Sequence, residues 1–155
     1  MKKVRMICFD MDGVLADLYN VENWLIDLEN EQVRPYEIAK PLVNMLELRE
    51  TLIQLKNIGY QIVIISWLAK NATHNYDEQV RNAKKNWLAR FDFPYDEIHL
   101  VKYGTTKANC VRTKKAETKI LIDDNEQIRK GWTLGLTIDG TTNFIEILKD
   151  LVKEG

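Results

Sequence analysis

An α/β fold is predicted for this chain: a doubly wound, mostly parallel, Rossmann-like sheet with helices on both faces and a small helical insertion. Three observations predict it. Short, nearly continuous apolar runs recur at Val4–Phe9, Tyr60–Ile65, Ile98–Val101 and Lys119–Ile122, as expected of strands covered on both faces. Segments with three- and four-residue apolar spacing alternate with them, the pattern of βα units. Three of the runs end on a polar residue, Asp10, Ser66 or Asp123. In open α/β sheets ligands bind beyond the carboxyl ends of the strands, so these residues are expected on one rim.

In chain order, the first apolar run stops at Asp10-Met-Asp-Gly13, a strand ending in a turn. Val21, Trp24, Leu25 and Leu28 then mark an amphipathic helix over 21–32, with Pro35 and Pro41 interrupting the pattern. Residues of roughly 18–41 are therefore the predicted insertion, within one domain spanning 1–155. A helix over 42–57 is closed by Gly59 and hands over to the strand ending at Ser66. The spacing predicts helices over 77–91 and from Thr106 to Arg112, the second capped by Thr105 or Thr106. After Asp123-Asp124 come a short helix over 125–130 closed by Gly131, a strand over 134–138 and a terminal amphipathic helix over 143–152.

With 155 residues, 45% of them apolar and 29% charged, the chain has an ordinary globular balance, and disorder and coiled coil are excluded. A formal net charge of −1 provides no overall attraction to nucleic acid or anionic membrane. No apolar run approaches the length that spans a bilayer, and the stretch after the N-terminal lysines is too short for an export signal. Cys8 and Cys110 lack metal-ligand spacing and read as reduced thiols, so a cytoplasmic location is expected.

The chemistry concentrates at the strand ends. Asp10 and Asp12 flank one residue, and Gly13 permits the tight turn after them. Crowded carboxylates raise one another's pKa unless a cation intervenes, and an all-oxygen site suits Mg²⁺. Asp123 and Asp124 are placed to complete such a site. Attack by a carboxylate on an anionic phosphoryl group also needs a lysine to neutralise charge. Lys107 and Lys102 are the candidates, with Lys107 favoured because Gly104 lets the backbone turn ahead of a helix N-terminus.

The run Asp10-Met-Asp-Gly-Val-Leu-Ala-Asp17 resembles the first motif of the haloacid-dehalogenase-like (HAD) phosphatases. Ser66 after an apolar strand, a lysine before the fourth strand and Ile122-Asp-Asp124 match the later motifs in the family's order. The resemblance implies a Mg²⁺-dependent phosphomonoester hydrolase acting through an aspartyl-phosphate. It makes Asp10 the nucleophile and Asp12 the general acid and base, with Ser66 hydrogen-bonded to the phosphoryl group. Mg²⁺ is then held by Asp10, the Asp12 backbone carbonyl, and the pair Asp123 and Asp124. The runs Lys84-Lys-Asn-Trp-Leu88 and Ile98-His-Leu-Val101 are most similar to the 5'(3')-deoxyribonucleotidase branch, which implies (deoxy)nucleoside monophosphates as substrates. Trp67 departs from the family pattern, where a smaller or polar residue is expected, and its aromatic face is suited to stacking a base.

Bland readings compete residue by residue. A lone Asp-x-Asp is often a solvated cap, and Asp124 fits the start of the helix near Asn125. His74 and His99 have no triad or metal spacing. The basic stretch of Lys102, Lys107, Arg112, Lys114, Lys115 and Lys119 reads as a solvated face, so stable nucleic-acid binding is not expected. Trp24, Tyr19 and Tyr36 fit core packing better than base stacking. The alternative functions are a 3'-phosphatase on nucleic-acid ends, which a small insertion leaves room for, and a phospho-accepting receiver-like signalling domain. In receivers the paired acids follow the first strand, whereas here Asp-x-Asp comes first and the pair last. A catalytically silent binding module fits poorly with the full set of reactive residues.

Overall fold

The computed structural model describes residues 4–155, so Met1 and the two N-terminal lysines lie outside the described residues. Among the described residues, five strands form one sheet: β1 (Arg5–Phe9), β2 (Tyr60–Trp67), β3 (Glu97–Val101), β4 (Thr118–Asp123) and β5 (Thr137–Asp139). Their spatial order is β3-β2-β1-β4-β5, and every neighbouring pair is parallel. The helices are α1 (Trp24–Glu29), α2 (Arg34–Ile38), α3 (Met45–Asn57), α4 (His74–Arg90), α5 (Lys107–Val111), α6 (Glu126–Lys130) and α7 (Phe144–Glu154). No described helix is long and apolar enough to cross a membrane.

The apolar runs are continuous because each strand feeds two cores. Ile7, Phe9, Ile62, Ile64, Ile120 and Ile122 point into the larger one, with α3, α4 and α7 packed above them. The alternate residues Met6, Cys8, Val63, Ile65 and Leu121 point into the smaller one, against Ala108 and Val111 of α5. Parallel crossovers are right-handed. The chain steps outward from β1 to β3 in one direction, then returns past β1 to β4 and β5 in the other, so its crossover helices change face.

That reversal sets the position of the site. The crevice between β1 and β4 is a topological switch point, where open α/β sheets bind ligands beyond the strand ends. Asp10 follows β1 there, and its amide donates to the Ile122 carbonyl at 3.0 Å. Asp123 closes β4 alongside it.

Several local expectations are corrected. The helix expected over 21–32 is shortened to α1 (Trp24–Glu29), flanked by a 3₁₀ turn at Leu18–Asn20 and by α2. Asn23 and Glu31 adopt left-handed backbone conformations that bracket α1, and Pro35 opens α2 instead of ending a helix. Leu25, read as part of the apolar stripe, is more than half exposed. α4 begins three residues earlier than expected because the Thr73 hydroxyl caps it, accepting from the Tyr76 amide. α5 has no side-chain cap, and the Thr105 hydroxyl donates to the Lys102 carbonyl instead. Asn125, not Asp124, caps α6. The last strand forms over Thr137–Asp139 and not over 134–138.

The segment between β1 and α3 is tied to α4. The fully buried Trp87 donates its indole N–H to the Ala39 carbonyl at 2.7 Å. The Tyr76 hydroxyl donates to the Gln32 carbonyl, and the Glu31 carboxylate accepts from both the amide and the hydroxyl of Thr73. The wall this segment builds over the strand ends is therefore anchored at three places along one helix and its cap.

Candidate active site

A cavity of about 740 Å³ opens over the carboxyl ends of the strands, within the range of small-molecule sites. Asp10, Asp12, Lys107, Asp123 and Asp124 line its floor. Tyr19, Trp24, Leu25 and Leu28 of the inserted segment form one wall, and Trp67, Lys70 and Tyr103 belong to another.

The floor is assembled from three loops. Met11 accepts backbone bonds from Val14, Leu15 and Ala16, which curls the chain immediately after Asp10. Gly13 sits at φ 84°, and a Cβ there would lie 2.3 Å from Asp124 Oδ2. Only glycine meets both demands, the left-handed backbone and the close carboxylate. Lys107, the first residue of α5, is buried and reaches across the β1/β4 crevice. Its ammonium donates to Asp10 Oδ1 at 3.0 Å and to Asp123 Oδ2 at 2.7 Å. Asp123 is fixed further by the Asn125 amide at its Oδ1.

Lys102, the other candidate, lies outside the floor: its exposed side chain pairs with the buried Asp77 of α4 at 2.9 Å. The basic stretch is not a uniform solvated face either, because Lys107 and Lys119 are buried, the latter donating to the Val111 carbonyl at the end of α5. His99 pairs with Glu97 on the far edge strand, and His74 starts α4.

Asp12 is held separately. Its Oδ2 accepts from the ammonium of Lys84 of α4, a residue that enters the sequence analysis only within the run 84–88, with no role of its own. Lys84 also donates to Ser66 Oγ. Ser66, expected to touch the phosphoryl group, is fully buried behind the cavity wall with its oxygen facing Lys84. Trp67 does line the cavity. Its indole N–H donates to the Thr105 carbonyl at 2.8 Å, its ring lies 4.9 Å from that of Tyr103, and the Lys107 ammonium stands 5.8 Å from its centroid. Tyr19 and Trp24 meet edge to face at 5.0 Å across the cavity's other wall.

Burial is the largest influence on three of the acids. Burial raises the Asp10 carboxyl above its usual range, Lys107 opposes the rise and Asp123 adds to it. Burial also raises Asp12, opposed by Lys84 and reinforced by Asp10. Asp124 is pushed up to about 7 by burial, by the charge of Asp10 and by a hydrogen bond with it. Burial alone lowers Lys107, but Asp10 and Asp123 more than offset it, and its pKa rises.

Carboxylate oxygens of Asp10, Asp123 and Asp124 lie within 4.8 Å of one another. An all-oxygen trio with one proton held up to neutral pH fits a small hard dication, which replaces that proton. Stability follows the same logic. A carboxyl whose folded pKa exceeds its unfolded value stabilises the fold fully below the unfolded value, about 4, and loses that contribution as pH rises through the folded value, about 7 for Asp124. The metal-free protein is thus expected to lose Tm between pH 4 and 8. Asp124→Asn flattens that decline and Mg²⁺ reverses it at pH 8, both readable by differential scanning fluorimetry.

No family model matches the chain, and no curated protein matches it in sequence. Among solved structures, it is similar to D,D-heptose 1,7-bisphosphate phosphatase from Burkholderia thailandensis, with 14% identity, a TM-score of 0.49 and coverage of 85% of this chain and 74% of that one. At that distance the functional reading rests on the arrangement of this chain's own side chains.

Proposed function

We propose that this chain is a Mg²⁺-dependent phosphomonoester hydrolase of the HAD type, working through an aspartyl-phosphate on Asp10. The carrying observation is the Lys107 ammonium bridging Asp10 and Asp123 at a topological switch point, with Asp12 held apart on its own lysine. A nucleophile must be ionised and a general acid protonated, and the two need different surroundings. Asp10 has a cation on one oxygen and the other two acids of the metal-competent trio beside it. Asp12, also raised by burial, faces the cavity where a leaving group departs.

The proposed reaction runs in two steps. An Asp10 carboxylate oxygen attacks phosphorus, the bond from phosphorus to the ester oxygen breaks, and the Asp12 proton passes to that oxygen. Asp12 then takes a proton from water, which attacks phosphorus, and the bond to Asp10 breaks to release phosphate. Lys107 holds Asp10 in line and neutralises charge on the phosphoryl oxygens. Asp10, Asp123 and Asp124, with the Asp12 carbonyl, would hold the metal, which supplies further charge neutralisation.

For substrate we propose a nucleoside or deoxynucleoside monophosphate. The cavity is much larger than a phosphoryl group, and Trp67 and Tyr19 both line it with aromatic surface on which a base can stack. In this reading the segment over 18–41 acts as a small cap. Phosphate release from 5'- and 3'-nucleoside monophosphates with Mg²⁺ tests it, and turnover abolished by EDTA is expected. Turnover of an aryl phosphate alone removes the nucleotide assignment, and inert nucleotides beside active 3'-phosphorylated oligonucleotides move the substrate to nucleic-acid ends. Stable phosphorylation without turnover favours a receiver-like role.

A further inference from the structure

We propose that Lys84 is a positioning residue that acts on the reaction through Asp12. The inference rests on the phosphatase reading above. Lysine is among the residues least often fully buried, because desolvating an ammonium costs several kcal/mol unless its donors are met. Lys84 is 1% exposed. It sits on the inward face of α4, one turn from Val80 on one side and Leu88 on the other, both fully buried. An apolar side chain would fit that stripe, so the ammonium is placed there for its partners.

Its three N–H donors match three acceptors: Ser66 Oγ at 2.7 Å, Asp12 Oδ2 at 2.8 Å and the Trp67 carbonyl at 2.9 Å. Two of them belong to the end of β2, a rigid central strand, and the third is the proposed proton carrier. The Tyr36 ring stands 5.2 Å from the same nitrogen and closes the remaining side. The ammonium therefore transfers the rigidity of β2 to the Asp12 carboxylate. With Oδ2 bound, only the other oxygen of Asp12 is left to exchange a proton with a leaving group or water. Ser66 contributes by holding Lys84, which explains a hydroxyl at a fully buried strand end.

Leaving-group chemistry separates this role from a merely structural one. An alkyl phosphate needs a proton on its departing oxygen, whereas 2,4-dinitrophenolate leaves without one. Both substrates need Asp12 again, as base, to hydrolyse the phospho-enzyme. Lys84→Met is expected to lower kcat for an alkyl phosphate by about 10²–10³-fold. With 2,4-dinitrophenyl phosphate it is expected to keep a burst of about one equivalent of phenolate, followed by slow turnover. Ser66→Ala, which keeps the fold's volume, is expected to split the two substrates in the same direction more weakly, and it decides the matter if Lys84→Met does not fold. Equal losses of kcat/KM on both substrates, a lost burst, or no change in the variant that folds overturns the proposal. If the wild-type protein hydrolyses neither substrate, the phosphatase reading fails and this inference goes with it; wild-type activity with unsplit variants sinks the role of Lys84 alone.

Discussion

Asp10→Asn is expected to remove phosphatase activity by at least about 10⁴-fold while leaving the fold intact. The amide is nearly isosteric with the carboxylate, but it cannot form the acyl phosphate, and loss of a nucleophile is among the largest single-residue effects in covalent catalysis. Its thermal signature runs the other way. Asp10 is buried and Asp123 presses on its charge, while a hydrogen bond with Asp124 partly favours it. Neutralising it relieves that repulsion, although it weakens one of the two bonds to Lys107. The variant is expected to melt at or above the wild-type temperature without Mg²⁺ and to gain less from added Mg²⁺. A phosphate-release assay paired with a melting curve checks both parts, and a variant that loses activity only because it unfolds would show as a lowered Tm.

Lys107→Met is the substitution expected to damage stability most. It leaves Asp123, fully buried, and Asp10, nearly so, without their shared cation. Stranding buried charge costs about 3–5 kcal/mol, a fall in Tm of roughly 10 °C for a domain of this size. The penalty has a pH signature. Without the lysine, protonation of Asp10, already raised by burial, is a remaining route to neutrality, so the deficit shrinks as pH falls toward 5 and widens toward 8. Mg²⁺ partly substitutes for the missing charge and is expected to recover part of the loss. Urea titrations at pH 5 and pH 8, with and without Mg²⁺, check the prediction; a deficit independent of pH would mean that packing, not charge, is what Lys107 supplies.

Much of the fold was legible in the sequence because strands buried on both faces have few alternatives to a continuous apolar run, as β2 and β4 show. The site followed from those strands. Asp10 and Asp123 end them, and the switch-point geometry of a parallel sheet brings the two ends together without further information. Between Lys102 and Lys107 the sequence favours Lys107 without deciding the choice, since both follow a strand end; Lys107 lies against Asp10 and Asp123, whereas Lys102 pairs with Asp77.

The inserted segment was less legible. α1 and α2 are six and five residues long, too short to hold themselves together by propensity, so tertiary bonds from Trp87, Tyr76 and Thr73 set their limits. The role of Lys84 was not legible beyond its place in the run 84–88, because a lysine in a helix is read as solvated. The available signal was its position, one turn from both Val80 and Leu88 in a stripe that is otherwise inward-facing. A charged residue in such a stripe implies a buried partner, and Asp12 is that partner. The same signal marks Asp77, which is buried one residue beyond Tyr76 and takes Lys102 as its counter-charge.

The central claim, a covalent phospho-enzyme on Asp10, is tested most directly by trapping the intermediate. Wild-type protein mixed with 2,4-dinitrophenyl phosphate and Mg²⁺, quenched during turnover and reduced with borohydride, should carry homoserine at position 10, identified by peptide mass spectrometry. Reduction at another carboxylate would move the nucleophile. An unmodified chain under conditions of rapid turnover, with oxygen from labelled water entering phosphate in a single direct displacement, would contradict the covalent mechanism.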